Sequence, residues 1–185
     1  MEIDFDEISQ TERYRFLTHR VVPRPIAWVT TLSDSGAVNA APFSFFYVFE
    51  SDPAFLGLGI RNRKDGSPKE TVLYIEKTCE FAINTVMESL AEQMVQTSYE
   101  YVPEENELEA VSLTSFTAVK VRPTRILESP AHLDCRKLSI QKVGANHLVL
   151  GTVVHGAVDD EFDDEHDGSI GTIKMLRIGR MQGSD

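Results

Sequence analysis

The stretch PIAWVTTL at residues 25–32, followed by SDSG at 33–36 and AVNAA at 37–41, decides the fold class. The first segment is β-branched and aromatic, the second forms a turn, and the third reads as a returning strand, so the three make a hairpin. Residues 54–60 (AFLGLGI) read as a buried strand, with Gly57 and Gly59 marking the close approach of a neighbour or a ligand. Beyond it, SPKE at 67–70 supplies a capping Ser67, Pro68 at the first helical position and Glu70 three residues after the cap. Val72 and Ile75 give the apolar spacing of a short helix that ends near Thr78. Residues 80–86 (EFAINTV) read as the next strand, and 88–98 as a second helix with Leu90, Ala91, Met94 and Val95 on one face. Residues 116–122 alternate as a strand, and 131–143 and 147–158 form two more, joined at residues 144–146. Strands separated by turns, with few helices between them, predict a mainly β, antiparallel barrel with peripheral helices rather than a doubly wound parallel sheet.

The chain has 185 residues, and its length predicts one domain over 1–185 with a core that needs no metal or disulfide. Its formal net charge of −11 argues against nonspecific binding to nucleic acid or to an anionic membrane surface. The charge is concentrated. Residues 100–109 hold five carboxylates and residues 159–167 hold seven, neither with a base, and the remainder of the chain is close to neutral. Two islands are basic: Arg13, Arg15, Arg20 and Arg24, then Arg61, Arg63, Lys64 and Lys69. Cys79 and Cys135 both lie in strand-like patterns and read as buried thiols, which suits a reducing cytoplasm. The acidic N-terminus has no apolar signal region, and the most apolar stretch, 37–60, is broken by Pro42, Glu50, Asp52 and Pro53, so no membrane span is expected.

Common catalytic signatures are missing: neither a dinucleotide-binding nor a phosphate-loop glycine pattern occurs, and no zinc-protease or nucleophile-elbow motif does. His132 and Cys135 stand at half of a metal-site spacing without a second pair, and His166 lies in an acidic run; no metal is expected. Three features remain. In residues 39–45 (NAAPFSF), small side chains and Pro42 leave amides able to meet a planar polar ring and place Ser44 near a phosphate, though a strand leaving a sheet edge explains them equally. In residues 61–71 (RNRKDGSPKET), four cations run into a helix start, where first-turn amides favour an anion, or else decorate an ordinary solvated loop. In residues 22–26 (VPRPI), two prolines hold Arg24 extended beside Trp28.

Together these segments resemble a known family. Residues 24–31 (RPIAWVTT), 39–44 (NAAPFS), 52–53 (DP), 65–71 (DGSPKET) and 80–84 (EFAIN) occur in the order and spacing of the flavin reductase-like, FMN-binding split-barrel family, nearest its flavoredoxin-type members. Residues 128–130 (ESP), 146–151 (NHLVLG) and 176–179 (LRIG) extend the likeness over almost the whole chain. The resemblance implies a split β-barrel homodimer with non-covalent FMN near the dimer interface. By position, Thr30, Thr31 and the backbone from Asn39 through Ala41 to Ser44 would line the isoalloxazine and ribityl chain. Lys69, Thr71 and Ser44 would hold the phosphate, with Arg24 and Arg61 as further contacts. The flavin carries the hydride chemistry, so no catalytic side chain is expected, and His155 reads as structural.

The implied activity is an FMN-dependent oxidoreductase that takes hydride from NAD(P)H and passes electrons to free flavin or a partner protein. The alternatives are an FMN electron carrier without NAD(P)H activity and a non-catalytic ligand-binding barrel. Two departures bear on that choice. Glu70 stands where the family commonly has Asp, and the chain ends early after Gly179. The acidic region 156–170 would disfavour anionic NAD(P)H within a Debye length, ~8 Å at physiological ionic strength.

Overall fold

The computed structural model describes residues 2–102, 104–160 and 179–180. His166, most of the second acidic run and the C-terminal arm lie outside the described residues. Helix α1 (Gln10–Arg20) leads into β1 (Arg24–Pro25), β2 (Ala27–Leu32), β3 (Val38–Phe43), β4 (Phe46–Ser51) and β5 (Ala54–Arg61). Helix α2 (Glu70–Thr78), β6 (Glu80–Asn84), a 3-10 turn (Glu88–Leu90), α3 (Ala91–Gln96) and α4 (Glu107–Ala110) follow. The remaining strands are β7 (Ser115–Phe116), β8 (Arg125–Ile126), β9 (Ala131–Val143), β10 (Asn146–Val158) and β11 (Gly179–Arg180).

Seven strands form one sheet in the order β3-β2-β6-β9-β10-β5-β4, with every neighbouring pair antiparallel. The expected hairpins are both present: Ser33 and Ala37 close the β2–β3 turn, and Gly144, at φ +59°, turns β9 into β10. The sheet is not closed into a ring of strands. It curls so that Ala27, Val29, Phe43, Leu56, Phe81 and Val149 meet inside, with Val72 and Ile75 of α2 packed among them. Side chains alternate along β2, so Trp28 faces the other way, into a second core with Ala40, Val86, Met94, Leu108 and Ile126. Trp28 is fully buried, and its indole Nε1 donates to Thr97 Oγ1 at 2.9 Å. This is the mainly β split barrel that the resemblance implies.

Several sequence expectations change. Residues 117–124 form no strand, because the amides of Val119 and Lys120 both donate to one oxygen of Asp134, at 3.1 and 3.0 Å, instead of to a ladder. Asp134 is fully buried and paired with Arg125 at 2.9 Å. Burial opposes its charge, but the Arg125 guanidinium and these amides hold its pKa below the ordinary value. Helix α2 starts at Glu70 with Lys69 as its cap. Ser67 turns back instead, its hydroxyl and amide both donating to Asp65 Oδ1. The helix expected over 88–98 is a 3-10 turn followed by α3. Cys135 is buried, but Cys79 is exposed, closing α2 in the left-handed conformation at φ 60°. Helix α1 was not expected. Its signal is the reciprocal cap between Ser9 and Glu12, while Tyr14, Phe16 and Leu17 form no wide apolar stripe.

The glycines of β5 face neighbours rather than a ligand: a Cβ at Gly57 would stand 2.5 Å from the Phe49 ring, and one at Gly59 2.9 Å from Phe45 Cβ. A Cβ at Gly151 would run into the ring of Phe81, which is fully buried. Gly151→Ala should therefore overpack the barrel and destabilise it by about 1–3 kcal/mol, read as a lower melting temperature in thermal denaturation. An unchanged melting temperature would show that the Phe81 ring can move aside.

Candidate functional site

Strand β3 is a sheet edge, so one side of its backbone has no partner strand. Pro42 pairs with Trp28 in register and does not interrupt the β2–β3 ladder. Ala40 and Pro42 share the outward parity, so the missing amide of Pro42 costs that ladder nothing. On this open side, Asn39, Ala41 and Pro42 face Arg63, Lys69 and Thr71 across a cleft whose far wall is formed by residues 97–102, 104, 105 and 107.

Four residues expected from the sequence, Asn39, Ala41, Lys69 and Thr71, line this one cleft. Asn39 Nδ2 donates to Thr31 Oγ1 and to Thr71 Oγ1, both at 3.1 Å, which ties β2, β3 and the first turn of α2 together. Thr71 is buried, and its hydroxyl retains a proton to donate. At the start of α2 the amides of Glu70 and Thr71 have no intrahelical acceptor, and Lys69 stands at the cap. An anion placed here would meet two amides, one ammonium and the positive end of a helix.

The other expected residues lie elsewhere. Thr30 faces the second core, with its hydroxyl donating to the Thr124 carbonyl. Ser44 is half-buried in the bend between β3 and β4, outside the cleft lining. Arg24 is buried and donates from Nη1 to the carbonyls of Thr18 and Val21, closing the end of α1. Arg61 lies over the Tyr14 ring at 5.7 Å. Arg63, by contrast, does reach the cleft, donating to the Pro68 carbonyl at 2.6 Å and pairing with Glu70.

The first acidic run is the feature that the sequence left unassigned. It is built onto the cleft. Glu104 accepts from the hydroxyls of Ser33 and Ser35 in the β2–β3 turn, and those bonds lower its pKa. Leu108, flanked by Glu107 and Glu109, is fully buried in the Trp28 core. Glu107 turns its carboxylate onto the outward amide of Ala40 at 2.7 Å. Burial raises the Glu107 pKa to about 7, reinforced by Glu105, while the Ala40 amide and Lys69 pull it down. The usable signal was the apolar spacing of Leu108, Val111 and Leu113 inside and just beyond the acidic run.

The donors fit a phosphate. The space between the walls is small, a cavity of about 70 Å³, well below the roughly 300–1,000 Å³ of small-molecule pockets. A planar ring fits along the open edge of β3 only where residues 97–107 yield or leave the strand uncovered. A second cavity of about 630 Å³ opens where Ile26, Phe46, Ile83 and Leu133 converge, with Asn84 and His132 as polar groups. Among the described residues no cation lines it. His132 is held at about 4 by burial first and by Arg125 second, so it is neutral near pH 7. Of the two cavities, only the cleft at β3 is lined by cations and helix-start amides.

Glu107 sets a pH dependence for the protein by itself. Its folded value of about 7 lies above the ordinary glutamate value of 4.5, so the folded state binds the extra proton between them. The stability this proton gives is complete below the unfolded value and is lost as the pH rises through about 7. Glu107→Gln, which keeps an oxygen for Ala40, should therefore raise the melting temperature at about pH 8 and leave it unchanged near pH 4.5. An equal gain at both pH values would contradict the assignment.

Three comparisons set this geometry among known proteins. The model of the flavin reductase like domain family matches residues 18–174. An uncharacterized protein of Halalkalibacterium halodurans is 35% identical over 192 residues, covering 100% of this chain and 90% of the relative. Nitrilotriacetate monooxygenase component B from Bacillus cereus superposes with a TM-score of 0.91 at 24% identity, covering 100% of this chain and 93% of that one. The 2-nitrobenzoate 2-nitroreductase NbaA of Pseudomonas fluorescens superposes with a TM-score of 0.87 at 27% identity, covering 100% and 90%. The chain belongs to the flavin reductase like domain family.

Proposed function

We propose that this protein is an FMN-binding oxidoreductase whose flavin is reduced by NAD(P)H and returns electrons to free flavin or to a partner protein. The observation that carries the reading is the single cleft in which Lys69, the first-turn amides of α2 and Thr71 stand beside the open edge of β3. Family membership supports flavin as the ligand, and the likeness to a nitroreductase 27% identical supports an oxidoreductase. FMN, when bound, supplies the hydride and electron chemistry. The chain's own part is to hold and orient. Lys69 neutralises phosphate charge, Asn39 fixes Thr71 against β3, and Ala41 and its neighbours present backbone to the ring. No side chain is assigned an acid–base role in hydride transfer.

The reading includes a homodimer. Tyr47, Val48 and Phe49 of β4 are all more than half exposed on the opposite edge of the sheet, an apolar run that a second copy would cover. No helix among the described residues is long and apolar enough to cross a membrane. The net charge of −11 continues to disfavour nucleic acid as a ligand, and the cytoplasm remains the proposed compartment.

The purified protein should be yellow or should quench added FMN fluorescence on binding, and anaerobic NADH or NADPH should bleach the bound flavin. Failure to take up FMN would refute the reading, and bound flavin that neither nucleotide reduces would make the protein an electron carrier instead. Lys69→Ala removes a charge-assisted contact of about 1.5–3 kcal/mol and should weaken FMN binding by roughly 10- to 150-fold. Unchanged affinity at moderate salt would place the phosphate elsewhere.

A further inference from the structure

The second cavity, of about 630 Å³, shares no lining residue with the cleft at β3 and holds a buried acceptor that the fold leaves unused. Its walls are apolar, with Ile26, Phe46, Ile83, Val86 and Leu133 among them. The polar residues that line it are Asn84, Thr85 and His132. Asn84 is fully buried, and both ends of its amide are engaged. Its Nδ2 donates to the Trp28 carbonyl at 3.0 Å, and its Oδ1 accepts the Ile126 amide at 3.0 Å. Those two backbone groups admit one orientation of the side chain, because turning it over would set oxygen against oxygen and N–H against N–H. The same Oδ1 lies 3.0 Å from His132 Nδ1, so that nitrogen carries the proton and donates. His132 is 4% exposed, and burial first and Arg125 second keep it neutral. In this tautomer Nε2 is an acceptor. No hydrogen bond to it forms among the described residues, and it is the ring nitrogen left to the cavity.

We infer that this cavity binds a neutral aromatic molecule bearing a hydroxyl group, its ring against the apolar walls and its O–H donating to His132 Nε2. The volume falls within the roughly 300–1,000 Å³ of small-molecule pockets. Among the described residues no cation lines the cavity, so a phosphate or carboxylate would be buried there without a counter-charge and would face the His132 lone pair. An apolar molecule with no donor would leave Nε2 covered and unpaired, at the cost of its desolvation. The site therefore favours a ligand that is uncharged, largely apolar and able to donate one hydrogen bond. A phenolic hydroxyl meets all three conditions, since it keeps its proton near pH 7. The Thr85 hydroxyl both donates and accepts, and so discriminates against neither kind of ligand. Phe46 offers a ring for an edge or offset contact. Ala157, directly opposite His132 in the β9–β10 register, and Gly156 beside it carry too little side chain to fill the space by the imidazole. Binding here is separate from the FMN reading and stands or falls without it.

Calorimetric titration of the full chain with 2-naphthol and with its methyl ether, 2-methoxynaphthalene, separates ring burial from the hydrogen bond. Both should bind. His132→Phe keeps a ring but removes the acceptor, and should weaken 2-naphthol by about three- to tenfold while leaving the ether unchanged. Ala157→Leu fills the space opposite His132 and should weaken both. 2-Naphthoate, the same ring with a negative charge, should not displace 2-naphthol. Nitrogen NMR of the wild type gives a readout that needs no variant to fold. His132 should carry its proton on Nδ1, and the Nε2 resonance should move further with 2-naphthol than with the ether. Failure of 2-naphthol to bind, an equal loss of both ligands in His132→Phe, or full affinity in Ala157→Leu overturns the inference. Displacement by 2-naphthoate, or a proton found on Nε2 of the free protein, overturns it as well.

Discussion

The outward amide of Ala40 is the constraint around which the cleft is organised. An edge strand leaves every second backbone group facing away from the sheet, and those groups need partners. At β3 the protein meets that need with a carboxylate from a distant segment rather than with another strand. Docking Glu107 there brings residues 97–107 over the start of α2, seats Leu108 in the Trp28 core, and sets an acidic wall opposite a basic one. A surface that would otherwise be an exposed sheet edge becomes a lined cleft.

The same arrangement separates the side chains that pack the core from those that line the cleft. On one face of the β2–β3 hairpin, Trp28 and Ala40 pack into the second core and Thr30 donates to the Thr124 carbonyl. On the other side, Thr31 and Asn39 connect to Thr71 and fix the first turn of α2 in place. The buried Arg125–Asp134 pair performs the equivalent task at the far side of β6, holding the segment at Val119 and Lys120 against β9 by those two amides. Each device uses one buried polar side chain to tie two partners together: Asn39 joins the hydroxyls of Thr31 and Thr71, and Asp134 takes the amides of Val119 and Lys120.

Much of the fold was legible because it is local. The β2–β3 and β9–β10 hairpins show as alternating runs around Gly36 and Gly144, and α2 shows in the spacing of Val72 and Ile75. Failures occurred where a distant partner decided the outcome. Residues 116–122 alternate like a strand, yet Asp134, far along the chain, takes the amides of Val119 and Lys120. Ser67 failed for a local reason instead: it reads as a helix cap, yet Asp65, two residues earlier, accepts from both its amide and its hydroxyl. The site followed the same rule. Asn39, Ala41, Lys69 and Thr71 could be picked from contiguous motifs. Glu107 could not, because its identity as part of the cleft depends on docking across the sheet, and its neighbours in sequence make it look like one of several solvated carboxylates. Arg24 and Arg61 share the residue type of a phosphate contact but serve α1 and Tyr14.

The central claim is that an FMN phosphate binds at the first turn of α2 with the ring against β3. The structure of the FMN complex tests it most directly. The account predicts phosphate oxygens within hydrogen-bond distance of Lys69 Nζ and the Glu70 and Thr71 amides, with the ring edge along residues 39–44. A phosphate bound away from α2, or a ring seated in the apolar cavity around Phe46 and Leu133, would contradict it.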